Sequence, residues 1–161
     1  MTICYFGDYD SVYARNRVII NGLKKNNVQV SECNIKFSGF KKIIKIFLSR
    51  KILNKSDLII VGYSNSRTNV FLAKLFCHRP IIWDAFYSNY DMWVNDRKLT
   101  KKISLKALWY WFGDWINCIF SDKILLDTNE HIKYFVKLFK IKKDKFIRVL
   151  IGADEHIFKN N

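Results

Sequence analysis

Short apolar runs alternate along the chain with longer segments whose apolar residues recur at helical spacing. The short runs predict six strands, at residues 2–6, 28–33, 58–62, 80–84, 123–127 and 146–150. The longer segments predict five helices, at 13–26, 40–53, 66–77, 104–121 and 130–139. This alternation is typical of a parallel sheet with helices on both faces. We therefore predict an α/β fold, with a Rossmann-like, three-layer domain over residues 1–152 and the start of a linker over 153–161.

Composition narrows the class of protein. The chain has 161 residues, 50% of them hydrophobic, with 6 glycines and 1 proline. This length and apolar content are enough for the core of one compact domain, and the apolar content is too high for a disordered protein. The cysteines, Cys4, Cys33, Cys77 and Cys118, are widely spaced and lack metal-site spacing, so we expect buried thiols without disulfides or metal.

The chain is strongly basic. Lys and Arg outnumber Asp and Glu by 28 to 14, giving a net charge of +14, and no acid occurs between Glu32 and Asp57. Such charge either binds anionic partners or forms a solvated face. Because the sequence has no RNP-like motif, zinc finger or helix-turn-helix spacing, we expect no nucleic-acid partner.

The sequence lacks the signals of secretion and of membrane spanning. The N-terminus has no basic leader, and the longest apolar stretch, 107–120, is interrupted by Gly113, Asp114 and Asn117. We expect a cytoplasmic protein, with peripheral membrane association left open.

Candidate binding residues follow the first predicted strand, because ligands of doubly wound sheets lie beyond the carboxyl ends of the strands. They are Gly7, Asp8, Arg15 and Arg17. The absence of the G-x-G-x-x-G and P-loop patterns disfavours nicotinamide, flavin and nucleoside-triphosphatase chemistry. Arg15 and Arg17 either hold a phosphate or carboxylate or are solvated. Asp8 and Asp10 match a D-x-D metal motif, but we favour turn and cap roles.

Later strand ends supply further candidates. Asp84 closes the fourth strand and is either a general base or an acceptor of loop hydrogen bonds. The connection 85–102 is predicted to be long and irregular, and it is rich in aromatic and charged residues. Its candidate substrate-binding residues are Ser88 and Arg97. After the fifth strand, Asp127, Thr128 and His131 form a polar cluster. Thr128 is expected to cap the next helix, and His131 is either a ligand contact or structural.

Two helices are candidate surfaces. Helix 40–53 carries an apolar stripe beside lysines, which suits either an interfacial helix on anionic lipid or a helix packed on the sheet. The stripe consists of Phe40, Ile43, Ile44, Phe47 and Leu48. Helix 104–121 carries Trp109, Trp111, Phe112 and Trp115. We expect this helix to be mostly a core element, and the alternative is that its aromatic residues line a binding cleft or meet the membrane interface.

Several segments resemble the N-terminal half of glycosyltransferases of the GT-B fold, specifically the retaining family 4 (glycosyl transferase group 1). The segments are YARNRVIINGLKKNNVQV (13–30), RPIIWDAFYSNYDMWVNDR (79–97), SDKILLDTNEHIKYFVKLF (121–139) and KFIRVLIGADEHIF (145–158). Their order and spacing, rather than any one of them, carry the resemblance. It implies one half of a GT-B fold.

The resemblance also implies a function. Family members transfer a sugar from a nucleotide-sugar donor to a glycan or lipid-linked acceptor in cell-envelope polysaccharide assembly, usually without metal or another cofactor. The N-terminal half binds the acceptor, and the C-terminal half binds most of the donor. We therefore expect Asp84 to be catalytic, and the isolated chain, a truncated or split half, to be inactive without its C-terminal half. The alternative is a non-catalytic basic module that binds anionic membrane or nucleic acid.

Overall fold

The computed structural model describes residues 1–153, and six parallel strands form its centre. The strands are β1 (Thr2–Gly7), β2 (Gln29–Asn34), β3 (Leu58–Val61), β4 (Ile81–Phe86), β5 (Lys123–Leu126) and β6 (Phe146–Arg148), in the spatial order β2-β1-β3-β4-β5-β6. The α-helices are α1 (Ala14–Lys25), α2 (Gly39–Lys55), α3 (Asn69–Phe76), α4 (Leu105–Phe120) and α5 (Asn129–Phe139). All predicted elements are confirmed, with ends that differ by at most 3 residues.

The two faces of the sheet are covered unequally. Because side chains alternate along a strand, Cys4 and Phe6 point to one face, and there they pack with residues of α2, α3, α4 and α5. Ile3 and Tyr5 point to the other face, where they pack with Ile20 of α1. The predicted three-layer arrangement with helices on both faces is therefore confirmed.

Local signals set several helix ends. Thr128 caps α5 as predicted, since its hydroxyl accepts a hydrogen bond from the His131 N–H at 3.1 Å. Ser104 caps α4 in the same way through the Ala107 N–H. Asn27 follows α1 with a φ of 57°, a left-handed conformation that asparagine tolerates better than most residues.

The long connection after β4 is more regular than the sequence suggested. It contains a six-residue π-helix, Asp91–Asp96, so the prediction of an irregular segment is wrong there. The Asp91 N–H donates to the Ser88 hydroxyl at 3.0 Å, and the Arg97 N–H donates to the Met92 carbonyl at 2.9 Å, five positions back. This wide turn brings Ser88 and Arg97 to the same end of the sheet.

Helix α2 turns its apolar stripe away from the sheet. Its buried residues are Lys42, Ile46 and Leu53, whereas Phe40 and Leu48 are 75% and 64% exposed. The alternative in which the stripe packs on the sheet is therefore wrong. The remaining stripe residues are also exposed, and they are Ile43, Ile44 and Phe47.

Helix α4 buries its small and polar residues most deeply, while Trp111 and Trp115 are partly buried and pack against the core as predicted. The buried residues are Ala107, Gly113, Asp114, Asn117 and Cys118. Trp109 and Phe112 are 53% and 40% exposed, so their predicted place in the core is wrong. Gly113 explains this orientation, because a Cβ there would lie 2.8 Å from the Cβ of Arg67.

The cysteines and the chain ends complete the fold. All four cysteines are free and buried, as predicted. Within residues 1–153, no helix has the length and apolarity needed to cross a bilayer. Apart from Ala153, the predicted linker 153–161 lies outside the described residues.

Candidate functional site

A cavity lies at the point where the strand order reverses, between β1 and β3. It has a volume of about 600 Å³, within the range of small-molecule sites, and we call it the switch-point cavity. Four aromatic residues line it: Tyr13, Phe37, Tyr63 and Trp109. Its polar lining includes Asp8, Asp10, Lys42, Ser64, Asn65, Ser66 and Arg67.

Asp8, a predicted site residue, forms an ionic anchor in this cavity. Lys42 Nζ donates to Asp8 Oδ2 at 3.0 Å and to Ser66 Oγ at 2.8 Å, and Asn69 Nδ2 donates to Asp8 Oδ1 at 2.6 Å. Burial alone raises the pKa of Asp8, but the bond from Asn69 and the charge of Lys42 outweigh it, so the pKa lies below its ordinary value. Asp8 therefore ties three segments together as a carboxylate, and the turn or cap role that we favoured for it is wrong.

Gly7 makes this anchor possible. Its φ is +135°, a conformation that other residues rarely adopt, and a Cβ there would lie 3.0 Å from Asn69 Nδ2. A larger residue would displace the amide that holds Asp8. The structure thus gives Gly7 a positioning role next to the cavity.

Asp10, the other carboxylate of the D-x-D pattern, is a turn residue, as we favoured. Its Oδ1 accepts a hydrogen bond from the Val12 N–H at 2.9 Å. Among residues 1–153 there is no group of three or more side chains placed to hold a metal ion. The carboxylate of Asp10 still lines the cavity, where it can accept a hydrogen bond from a ligand.

Arg15 and Asp84, both predicted site residues, form a buried ion pair. Arg15 Nε and Nη2 donate to Asp84 Oδ1 at 2.9 and 2.7 Å, and the two side chains are 3% and 0% exposed. The guanidinium also lies 4.6 Å from the centre of the Phe86 ring. Burial raises the pKa of Asp84, and the guanidinium opposes that shift.

This geometry favours a structural role for both residues. Neither lines the switch-point cavity, and each already satisfies the charge of the other. It argues against the phosphate contact expected of Arg15 and the proton transfer expected of Asp84. The phosphate contact of Arg15 and the proton transfer by Asp84 both stay predictions. Arg17, also on α1, is half-buried and does not line this cavity either.

A second cavity, of about 480 Å³, lies beyond β4 and β5, and we call it the histidine cavity. It brings together three predicted site residues: Ser88, Arg97 and His131. His131 Nδ1 is 2.5 Å from Asp127 Oδ1, so the carboxylate fixes the ring and leaves Nε2 to meet a ligand. Arg97 lies beside the Trp93 ring, 5.1 Å from its centre. Thr128 helps to position His131, because its hydroxyl caps α5 by accepting a hydrogen bond from the His131 N–H.

Asp114 holds the wall of the histidine cavity in place, although the sequence did not suggest it as a site residue. Its fully buried carboxylate accepts hydrogen bonds from Ser88 Oγ at 2.8 Å, Asn89 Nδ2 at 3.2 Å and the Tyr90 N–H at 2.9 Å. Burial raises its pKa to about 6, and these bonds oppose the shift. The available signal was a single carboxylate inside the apolar stretch 107–120.

Three tyrosines separate the two cavities. The Tyr63 ring lies 5.1 Å from that of Tyr13 and 5.4 Å from that of Tyr87, and the hydroxyls of Tyr63 and Tyr87 are hydrogen-bonded. Burial raises the pKa of Tyr63 above its ordinary value. Tyr13 lines both cavities. Aromatic residues are common in cores and surfaces alike, so this wall of three tyrosines was not predictable from residue type alone.

Comparisons with known proteins bear on the fold. No protein-family model and no curated protein sequence matches the chain. Among solved structures, it is similar to Anabaena Alr3699/HepE, crystallised in complex with UDP and glucose, with a TM-score of 0.58 and 11% identity. The match covers 100% of this chain and 47% of HepE, so the chain spans about half the length of that protein. At this identity the likeness shows the fold, an α/β Rossmann-like domain, and membership in family 4 stays a prediction.

Proposed function

We propose that the chain is the acceptor-binding half of a glycosyltransferase. The observation that carries the proposal is the pair of cavities at the carboxyl edge of a Rossmann-like sheet, lined by aromatic, hydroxyl and carboxylate groups. Groups of these kinds suit a sugar, whose ring has apolar C–H faces and hydroxyls at its edge. The likeness to HepE, crystallised with UDP and glucose, supports the same assignment.

In this proposal a separate half binds most of the nucleotide-sugar donor, as the resemblance to family 4 suggests. Transfer then proceeds with retention, on the cytoplasmic side of the membrane, to a glycan or lipid-linked acceptor of the cell envelope. No metal or cofactor is required. Because catalysis needs both reactants in one cleft, the isolated chain is inactive.

Within the histidine cavity, we assign hydrogen bonding to the acceptor to Arg97 and His131. Ser88 has a positioning role instead, because its hydroxyl donates to Asp114 and accepts from the Asp91 N–H. Asp127 orients His131 through its Nδ1 atom. The His131 side chain is itself 36% exposed, so its replacement by alanine removes this contact without opening the core. The replacement is therefore expected to weaken function without unfolding the domain.

Deletion of the gene in its own host tests the function. Mass spectrometry of the surface glycans should show chains that stop one step early, restored by the wild-type gene and not by the His131→Ala variant. Unchanged glycans in the deletion strain would refute the proposal. In a parallel assay, the purified chain should transfer no label from a panel of nucleotide-sugars, and measurable transfer would refute the half-enzyme assignment.

A second candidate function, docking on anionic membrane, is favoured by helix α2. Its exposed apolar stripe lies beside the exposed lysines Lys41, Lys45 and Lys51, and α2 contains no acidic residue. Exposed apolar residues flanked by lysines are the pattern of an interfacial helix. This function is compatible with a lipid-linked acceptor and does not depend on it.

Charge reversal tests the docking. Each basic residue near an anionic surface contributes about 1 kcal/mol, so Lys41, Lys45 and Lys51 replaced together by Glu should weaken binding to phosphatidylglycerol-containing vesicles by at least about 100-fold. The matched control reverses three exposed lysines elsewhere, Lys137, Lys142 and Lys143. This control variant has the same net charge as the α2 variant, and it should bind the vesicles more tightly. Equal binding by both variants would refute docking through α2.

A further inference from the structure

The two cavities adjoin each other at a single side chain. Tyr13 lines both, Tyr63 lines the switch-point cavity, and Tyr87 lines the histidine cavity. The ring centres of Tyr13, Tyr63 and Tyr87 follow each other at 5.1 and 5.4 Å. The two cavities therefore form neighbouring compartments along one edge of the sheet, with Tyr13 at their boundary.

The charges around the cavities do not follow those of the chain. The chain carries +14, yet the switch-point cavity has two carboxylates, Asp8 and Asp10, against two cations, Lys42 and Arg67. Lys42 is bonded to Asp8 at 3.0 Å. A phosphate in this cavity would lie beside both carboxylates, which is unfavourable.

The histidine cavity also lacks an excess of positive charge. Its carboxylates are Asp91 and Asp96, and its one arginine is Arg97. Asp91 accepts a hydrogen bond from Asn95 Nδ2 at 2.8 Å, which fixes its carboxylate at the wall. Acids therefore equal or outnumber the lysines and arginines in both compartments, and neither is built to attract an anion.

The remaining lining suits uncharged sugar rings. Tyr13, Phe37 and Trp109 are 41%, 46% and 53% exposed, so their rings are available at the switch-point cavity. Around them, Asp10 and nearby hydroxyl and amide groups can pair with sugar hydroxyls. The combination of open rings and uncharged or balanced polar groups disfavours a nucleotide diphosphate.

We propose that the two cavities are subsites of one groove for an uncharged oligosaccharide, with one sugar unit in each cavity and Tyr13 packed against both units. The inference rests on the proposed function and deepens it, because it names the acceptor as an uncharged chain of at least two sugars. An acceptor of one sugar would fill only one compartment.

The test uses the labelled 161-residue chain on an array of defined mono-, di- and trisaccharides, uncharged or carrying phosphate, sulfate or carboxylate groups. We expect binding to at least one uncharged di- or trisaccharide, at least about tenfold tighter than to its component monosaccharides. Binding to charged glycans alone, equal binding of mono- and disaccharides, or no binding would each overturn the inference.

Variants assign the binding to the groove. Tyr13→Ala should weaken disaccharide binding about tenfold, and Tyr13→Phe should restore it, because the ring makes the contact. The matched control is Phe112→Ala, an aromatic residue that is 40% exposed on α4 and lines neither cavity. An unchanged affinity in Tyr13→Ala, with melting temperatures equal for all variants, would contradict the shared boundary.

The outcomes separate this inference from the proposed function. If the array detects a Tyr13-dependent oligosaccharide while the deletion strain keeps normal glycans, the groove stands and the glycosyltransferase assignment fails. If the strain lacks a sugar while no uncharged oligosaccharide binds, the glycosyltransferase assignment stands and the groove fails.

Discussion

Replacement of Asp84 by asparagine separates a structural ion pair from a catalytic base. The carboxylate is 0% exposed and receives bonds of 2.7 and 2.9 Å from Arg15. Asparagine keeps the shape but removes the charge, so it leaves a buried guanidinium without its counter-ion. The other contacts of the Arg15 guanidinium, with the Val149 carbonyl at 3.4 Å and the Phe86 ring at 4.6 Å, are too weak to replace the lost counter-ion.

The expected loss of stability is large. Removal of one partner from a buried ion pair typically costs about 3–5 kcal/mol, out of a total of roughly 5–15 kcal/mol for a domain. For a chain of this size, each kcal/mol corresponds to about 2–4 °C, so the melting temperature should fall by roughly 6–20 °C. A catalytic base without a structural role would leave the melting temperature unchanged.

Urea unfolding and thermal melting measure this loss, and two controls interpret it. The double variant Arg15→Met/Asp84→Leu removes both charges and should regain most or all of the stability. In the exposed pair Lys24–Glu32, whose side chains are 49% and 37% exposed, Glu32→Gln should cost less than about 1 kcal/mol. Wild-type stability of Asp84→Asn would refute the structural role and restore the catalytic prediction.

Two further predictions concern buried charges of the cavities. Asp114 has a folded-state pKa of about 6, above its ordinary 3.8, so ionisation of this carboxyl opposes folding. The free energy of unfolding should therefore fall by about 3 kcal/mol as the pH rises from about 4 through 6. Asp114→Asn should flatten this part of the profile of unfolding free energy against pH, measured by urea unfolding. Lys42→Met leaves the Asp8 carboxylate without its cation. Because Asp8 is 26% exposed and keeps the bond from Asn69, the loss in urea unfolding should be about 1–3 kcal/mol. Lys42→Met/Asp8→Asn should cost less, and equal losses would argue against coupling between the two charges.

The order of elements was predictable because it depends on local patterns. Apolar runs bounded by polar residues predicted every strand, and a threonine three residues before His131 predicted a helix cap that the structure confirms. These signals act within a few residues of each other. The structure that each local pattern predicts is therefore largely independent of the tertiary contacts formed on folding.

The pairing of charges was not predictable, because it is decided by tertiary contacts. Arg15 and Asp84 are 69 positions apart, and each looked functional on its own, at a loop and at a strand end. Lys42 looked like one of several solvated lysines on α2, yet it is 7% exposed because Asp8 lies opposite it. Helical periodicity gives a stripe, whereas contacts with distant residues, such as the bond from Lys42 to Asp8 and the packing of Ile46 in the core, decide which side faces inward.

The separation of charge from the cavities leads to a last prediction. Much of the excess positive charge lies on exposed surfaces such as that of α2, whereas the compartments at the sheet edge are balanced or acidic. Membrane docking and oligosaccharide binding should therefore be independent properties of the chain. Lys41 and Lys51 line neither cavity, whereas Lys45 Nζ lies 5.7 Å from the centre of the Phe37 ring, which lines the switch-point cavity.

The Lys41→Glu/Lys51→Glu variant should thus bind vesicles at least about tenfold more weakly, since two basic residues contribute about 2 kcal/mol. Its affinity for the array oligosaccharide should stay within about twofold of the wild type, because charges at the exposed surface are screened over roughly 8 Å at physiological salt. Titration of the variant with that oligosaccharide at low and at physiological salt measures this. A parallel loss of both activities, with the melting temperature unchanged, would mean that α2 and the groove form one binding surface and that the acceptor itself carries negative charge.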